Sequence, residues 1–234
     1  MTKAPLDIEK HDEGPFGEYT GYYAGHHKDD PVVRVKAIYH RDEPILFGFP
    51  PTTPEIYNRY SAPFNSAHLW RTLERSGLPG IKGVWTLECS ANMIIVASIK
   101  QMYPGHSRQV GHLVSGIPYA ANVTRYVIVV DDDIDPSNVT QVVWALATRS
   151  DPETTIDLFR GRSCSPVDPR MTSEKRDAGE HTNTVAIIDA CRPFEWIDKF
   201  PPTNTLNPEL RARTLGRWGE LLGIPKKELK PLFE

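Results

Sequence analysis

Val32-Val33-Arg34-Val35-Lys36-Ala37-Ile38-Tyr39 alternates and is rich in β-branched residues, the pattern of a strand. Arg41-Asp42-Glu43-Pro44 follows as a turn, and Ile45-Leu46-Phe47-Gly48-Phe49 reads as the returning strand of a hairpin. Two strands alone make no stable sheet, so this segment needs partners that its neighbours do not obviously supply. Thr53 before Pro54 predicts a helix start, a hydroxyl N-cap followed by proline at the first position. The helical stretch runs with interruptions through residues 69–75 and stops at Gly77; Pro63 predicts two helices or a kink. Beyond it strands and helices alternate. Residues 81–89 and 93–99 read as strands, 105–116 as a helix, and 126–130 as a short, wholly apolar buried strand. Asp135-Pro136 is expected to cap a helix through Thr148, with Val139, Val142, Val143 and Leu146 on one face. Residues 184–189 read as another buried strand, and 208–222 as a last amphipathic helix, with Asn207 as N-cap and Pro208 first. The alternation predicts an α/β layer domain over roughly residues 67–200.

Composition narrows the class without naming it. A chain of 234 residues, 39% hydrophobic and 24% charged, can bury a proper core in one or two domains. A net charge of -3 gives no reason to expect nucleic acid or an anionic membrane as partner. The three cysteines, Cys89, Cys164 and Cys191, show no CxxC spacing, which suits reduced thiols. No apolar run reaches membrane-spanning length, and Met1-Thr2-Lys3-Ala4-Pro5 lacks the apolar core of a signal peptide, so a cytoplasmic protein is expected.

The chemistry concentrates near the start, in Asp12-Glu13-Gly14-Pro15-Phe16-Gly17-Glu18-Tyr19-Thr20-Gly21-Tyr22-Tyr23. Neither a regular strand nor a helix brings residues five apart onto one spot. A loop over residues 13–23, made by Gly14, Pro15 and Gly17, can bring Glu13 and Glu18 together. The aromatic residues can dry the site, and a dry carboxyl has its pKa pushed up, as a general acid needs. On the residues alone, a surface turn with solvated acids is the commoner reading.

Other constellations are weaker. Asp131, Asp132, Asp133 and Asp135 suggest a metal site, but acids that end a buried strand and cap the next helix explain them better. His26-His27 has no partner at ligand spacing and reads as a polar loop. Cys89 and Cys191 read as buried thiols, and no positioned base makes Cys164 a nucleophile. Arg125 reads as a charge flanking a strand.

A resemblance changes the weighting. Glu13-Gly14-Pro15-Phe16-Gly17-Glu18-Tyr19-Thr20-Gly21-Tyr22 resembles the signature of the UbiD family, decarboxylases that use prenylated FMN. Residues 126–136, 143–149, 161–169 and 187–194 are similar to later blocks of that family, so the resemblance spans nearly the whole chain but only the C-terminal half of a typical member. It implies reversible, non-oxidative decarboxylation of an aromatic, above all phenolic, or α,β-unsaturated carboxylic acid. It implies Glu13 and Glu18 as the catalytic acids, with Glu18 as the general acid/base and Glu13 in the ionic network, and Arg125 approaching the cofactor phosphate. Substrate choice is expected to involve the loop around Cys164. The implied fold is α/β: residues 1–50 as residual strands of a split β-barrel flavin-binding domain, 51–77 as a helical linker, and 78–234 as an α/β dimerisation domain with a C-terminal helix. The family's catalytic arginine, most of its flavin cradle, and its ligands for a divalent metal such as Mn and for K belong to the N-terminal half and not to this chain. The implied partners are the acid substrate, further copies in a homo-oligomer, and a chain carrying the flavin domain. The alternative is a non-catalytic oligomerisation module left by truncation.

Overall fold

The computed structural model describes residues 9–48, 50–53, 57–205, 207–221 and 223. Its centre is a five-stranded sheet in the order β3-β4-β5-β7-β6. The strands are β3 (Ile81–Thr86), β4 (Ile94–Ile99), β5 (Tyr126–Asp131), β6 (Ile156–Ser163) and β7 (Thr182–Ala190). β4, β5 and β7 run parallel, while β3 and β6 close the two edges antiparallel. The parallel strands are covered on both faces, which is why they read as continuous apolar runs. Alternate residues serve opposite layers. Ile95, Ala97, Val127, Val129, Val185 and Ile187 enter one core together with Leu69, Leu73, Val110 and Val114 from helices. Val96, Ile128, Val130, Ala186 and Ile188 enter the other, against Val142 and Ala145.

Helices α1 (Tyr57–Arg75), α2 (His106–Gly116) and α3 (Pro118–Val123) supply the first layer, and α4 (Val139–Arg149) supplies the second. Pro63 lies inside α1, which is assigned as one helix and not two. Gly111 brings α2 close to the sheet; a Cβ there would meet Ile187 Cγ2 at 2.4 Å. The short helix α5 (Ser173–Asp177), β6 and α3 have no counterpart in the expected pattern. The last helix, α6 (Pro208–Trp218), starts as expected: Asn207 Oδ1 accepts the N–H groups of Glu209 and Leu210 at 2.9 and 3.2 Å. Leu222 lies outside the described residues, as does Pro54 of the predicted Thr53-Pro54 start. No helix among the described residues is long and apolar enough to cross a membrane.

Three expectations are corrected. The hairpin of residues 32–39 and 45–49 is absent among the described residues, and 32–48 run without strand pairing. An apolar alternation makes a strand only when an edge exists to take its backbone bonds; here Val33, Ile38, Tyr39, Ile45 and Leu46 are more than three-quarters exposed. The hairpin instead joins β1 (Lys10–Phe16) and β2 (Gly25–Pro31), with Glu13 opposite His27. Glu13 therefore belongs to a strand and not to the loop, which is confined to residues 17–24; Pro15 falls at a register irregularity, where a strand tolerates proline. Finally, Asp135 does not cap α4. Its Oδ1 accepts the N–H and hydroxyl of Ser137 in a local turn, and the cap passes to Asn138, whose side chain accepts from Thr140 and Gln141. The buried face of α4 is accordingly Gln141, Val142, Ala145 and Arg149, while Val139 and Val143 are exposed.

The acids after β5 form an ion cluster with buried arginine. Asp131 is 1% exposed and accepts from Gln101 Nε2 at 2.8 Å, Arg149 Nη1 at 3.0 Å, and the Arg192 backbone and Nε at 2.8 and 3.0 Å. Arg149 also grips both oxygens of Asp133 at 2.8 Å. Burial alone would raise the Asp133 pKa, but the Arg149 guanidinium outweighs it and the carboxyl titrates below its usual value.

Arg149→Met removes the buried one of the two cations that pair with the buried Asp131 carboxylate. Urea unfolding is expected to show a loss of about 3–5 kcal/mol; a loss under about 1 kcal/mol contradicts the cluster's role. His106 gives a pH-dependent prediction. It is fully buried against Tyr103, and desolvation pulls its pKa below the ordinary 6.5, partly offset by the Pro79 carbonyl. Its neutral form is favoured on folding, so its contribution is complete above pH 6.5 and is lost as pH falls below that value. Wild type is expected to lose more stability than His106→Gln between pH 7.5 and 5.5; equal losses rule this out.

Candidate functional site

The loop between β1 and β2 carries Glu18 on a tight turn. The Glu18 N–H donates to Tyr22 O at 2.9 Å, and the Gly21 N–H donates to Glu18 O at 2.8 Å. Gly21 has φ +80°, and a Cβ there would meet Thr53 Cγ2 at 2.2 Å; one at Gly17 would meet Pro51 Cγ at 3.0 Å. The glycines let the turn lie directly on residues 51–53. Glu18 is half-buried and Glu13 exposed. Among the described residues no side chain hydrogen-bonds either carboxylate, and the structure shows no contact bringing the two together.

Three tyrosines lie close in sequence around this turn, yet only one turns inward. Tyr22 and Tyr23 are 60% and 80% exposed, whereas Tyr19 is half-buried, with its phenol near Ser165, Asp168 and Tyr119. Burial, with Asp168, Tyr119 and Glu18 nearby, pushes its phenol up to about 12. The loop beside it is itself fixed. Ser165 N–H donates to Asn122 O of α3 at 2.8 Å, Asp168 N–H donates to Ser165 O at 3.1 Å, and Asn183 of β7 donates to Asp168 at 3.3 Å. Arg125, just before β5, donates from Nη2 to both oxygens of the buried Asp168, at 2.7 and 2.6 Å. Its guanidinium is thus committed to a carboxylate, a partner that the reading as a flanking surface charge did not include. The hydroxyls of Thr20 and Thr124 and the Asn183 Oδ1 are buried with no hydrogen-bond partner among the described residues.

The remaining candidates separate from this site. Cys164 is buried; desolvation, followed by the nearby Asp168, raises its thiol, so it is no ready nucleophile. Cys191 is raised further by burial and by Asp131, whereas Cys89 is exposed and not buried as expected. His26 and His27 lie in β2, and their side chains are outside the described residues. Among the described residues no group of three His, Cys, Asp or Glu is placed to hold a metal ion. A cavity of about 610 Å³, lined by Lys82, Ser98, Asp132, Asp133, Trp144 and Thr205 among others, lies beside the Arg149 cluster and contains none of Glu13, Glu18 or Arg125. Sequence reasoning missed Tyr19, Ser165 and Asp168 as a unit; an aspartate between two prolines, Pro166-Val167-Asp168-Pro169, was the available signal.

Comparison with known proteins bears on both segments. Residues 61–190 match the family model of the 3-octaprenyl-4-hydroxybenzoate carboxy-lyase C-terminal domain, and residues 4–54 match that of its Rift-related domain. A phenolic acid decarboxylase of Bacillus subtilis is 33% identical over 69% of this chain and 34% of its own length. The phenolic acid decarboxylase of Sedimentibacter hydroxybenzoicus is 31% identical over 84% of this chain and 39% of its own. Among solved structures, the vanillic acid decarboxylase of Sedimentibacter hydroxybenzoicus in closed form superposes with a TM-score of 0.68 at 28% identity, covering 95% of this chain and 44% of that one. The UbiD-class enzyme HmfF from Pelotomaculum thermopropionicum, in complex with FMN, gives 0.73 at 23% identity, covering 89% and 44%, a likeness of fold alone. The chain thus spans less than half the length of the relatives it matches.

Gly21→Ala tests the geometry of the turn. The left-handed backbone alone costs about 1–2 kcal/mol, before the clash with Thr53. Chymotrypsin is expected to cut the variant faster than wild type after Tyr22 and Tyr23; unchanged cleavage contradicts the close packing.

Proposed function

Since the chain belongs to the UbiD carboxy-lyase family, we propose that it supplies the acid-bearing half of a decarboxylase site for an aromatic, above all phenolic, or α,β-unsaturated carboxylic acid. The observation that carries this reading is Glu18: a half-buried carboxylate, unengaged by other side chains among the described residues, on a turn that lies directly on Pro51 and Thr53. In the reaction the bond between the ring or alkene carbon and the carboxyl carbon breaks, carbon dioxide leaves, and a C–H bond forms at the ring or alkene carbon left behind. Glu18 holds the proton for that bond and takes one back in the reverse direction. Glu13, within β1 before the turn, contributes charge to the ionic network around the site.

When bound, prenylated FMN supplies the electron sink for the departing carbon dioxide. The residues present fit the margin of such a group. Arg125, oriented by Asp168, would face its phosphate, and the orphaned Thr20 and Thr124 hydroxyls are donors of the right kind. The isoalloxazine cradle and the ligands of a divalent metal and K would come from a chain carrying the N-terminal half. In this reading residues 1–50 are a piece of the cofactor domain, 51–77 a linker, and 78–234 the α/β domain through which copies associate. The exposed, alternating segment 32–48 supports this, because it offers β-type sequence with no sheet to join. A second reading, a non-catalytic oligomerisation module, is favoured by one observation: the α/β sheet closes both apolar layers without residues 9–53.

Glu18→Gln in the assembled enzyme is expected to lower turnover by about two to four orders of magnitude while flavin content stays unchanged. Turnover within threefold of wild type removes Glu18 from the proton-transfer role.

A further inference from the structure

We infer that the outer edge of β6 is a docking surface for β6 of a second copy, the two strands pairing antiparallel across a two-fold axis at Leu158. This deepens the proposed reading of residues 78–234 as the domain through which copies associate. β6 ends the sheet and pairs only with β7 among the described residues. At the opposite edge the Thr86 N–H of β3 is taken by Ser66 Oγ of α1 at 2.9 Å. The register of β6 shows which groups its own edge leaves open. Asp189 N–H donates to Thr155 O at 2.9 Å, and Asp157 and Phe159 stand opposite Ile187 and Val185, so these three residues bond toward β7. Ile156, Leu158 and Arg160 alternate with them and turn their N–H and C=O groups outward, where no strand meets them among the described residues. Unpaired edge groups are a template for another strand. Leu158 and Phe159, on opposite faces of the sheet, are 51% and 42% exposed, so both faces reach the edge as apolar surface.

The same alternation selects the register, because outward-bonding residues must meet outward-bonding residues. Centring the pair on Asp157 sets two carboxylates face to face. Centring it on Phe159 runs the pairing into Gly161, φ +71°, where the register of β6 itself breaks. Centring it on Leu158 sets Leu158 opposite Leu158 and Ile156 opposite Arg160 on one face, and Asp157 opposite Phe159 on the other. The Arg162 guanidinium, 5.0 Å from the Phe159 ring, then brings a cation toward Asp157 of the second copy. The two Arg160 residues start about 14 Å apart, beyond the screening length of physiological salt. The exposed, strand-like segment 32–39 is a poorer occupant: its Arg34 and Lys36 would meet Arg160 and Arg162, and it carries no acid to offset them.

The test uses the full chain. Sedimentation velocity is expected to show a dimer for wild type. Leu158→Lys, at a position already exposed, sets two ammonium groups at the axis; it is expected to weaken the dimer by about tenfold or more with an unchanged circular dichroism spectrum. A second pair of variants reads the register in a Cys89→Ser background, which removes the exposed native thiol. Leu158→Cys is expected to cross-link to itself under mild oxidation, its Cα atoms lying about 5.5 Å apart across the axis. Arg160→Cys is expected not to. A monomeric wild type overturns the inference. So does a dimer that Leu158→Lys leaves intact, or one that cross-links equally at both positions, since the copies then meet through another face. If Leu158→Lys misfolds, the two cysteine variants decide alone. None of these measurements reads turnover: a chain that pairs through β6 but supports no decarboxylation removes the proposed function only, and a failed pairing leaves the role of Glu18 untouched.

Discussion

Arg149 is where the α/β domain is held together against its own charge. Three parallel strands end side by side, and the segments leaving them must part in different directions. Asp131 gathers those exits: Gln101 from beyond β4, Arg149 from the end of α4, and Arg192 from beyond β7 all donate to one buried carboxylate. Without Arg149 the buried Asp131 would keep only Arg192 as a cation, and without its acids the buried Arg149 would be an unpaired charge. The C-terminal ends of parallel strands are where open α/β sheets commonly place ligands. Here that edge is occupied by an ion cluster, and the candidate chemistry lies at the other end of β5, around Arg125.

What burial on both faces dictates was legible in the chain. β5 and β7 read as apolar runs because both faces are covered, and α6 could be placed because Asn207-Pro208 is a local cap. β6 was not legible: it is an edge strand whose Phe159, Arg160 and Gly161 face solvent, so no alternation marks it. The start of α4 slipped by three residues because Asp135 and Asn138 are both competent caps and only the Asp135–Ser137 turn decides between them. The strands of residues 32–49 went wrong for an instructive reason: the pattern is that of a sheet, but a sheet also needs an edge, and pattern alone cannot provide one.

The site shows the same division. Gly17 and Gly21 mark a turn in contact with something, and the flanking acids mark its chemistry; both are local. The contact itself is distant in sequence. Arg125 meets Asp168, with nothing in spacing to connect them. Arg125 shows the consequence most clearly. Taken alone it is a surface charge or a phosphate ligand; with Asp168 in place it is first a strut for the loop of residues 165–168, and only the remainder of its guanidinium is available to an anion.

The central claim is that this chain carries the acids of a decarboxylase site but not the flavin's binding cradle. The most direct measurement is the absorbance spectrum and native mass of the purified chain, with and without prenylated FMN, before and after gel filtration. The account predicts a folded, self-associating, colourless protein that retains no flavin. A stoichiometric flavin complex of this chain alone would contradict it, since residues 9–53 and their neighbours would then form a cofactor site unaided.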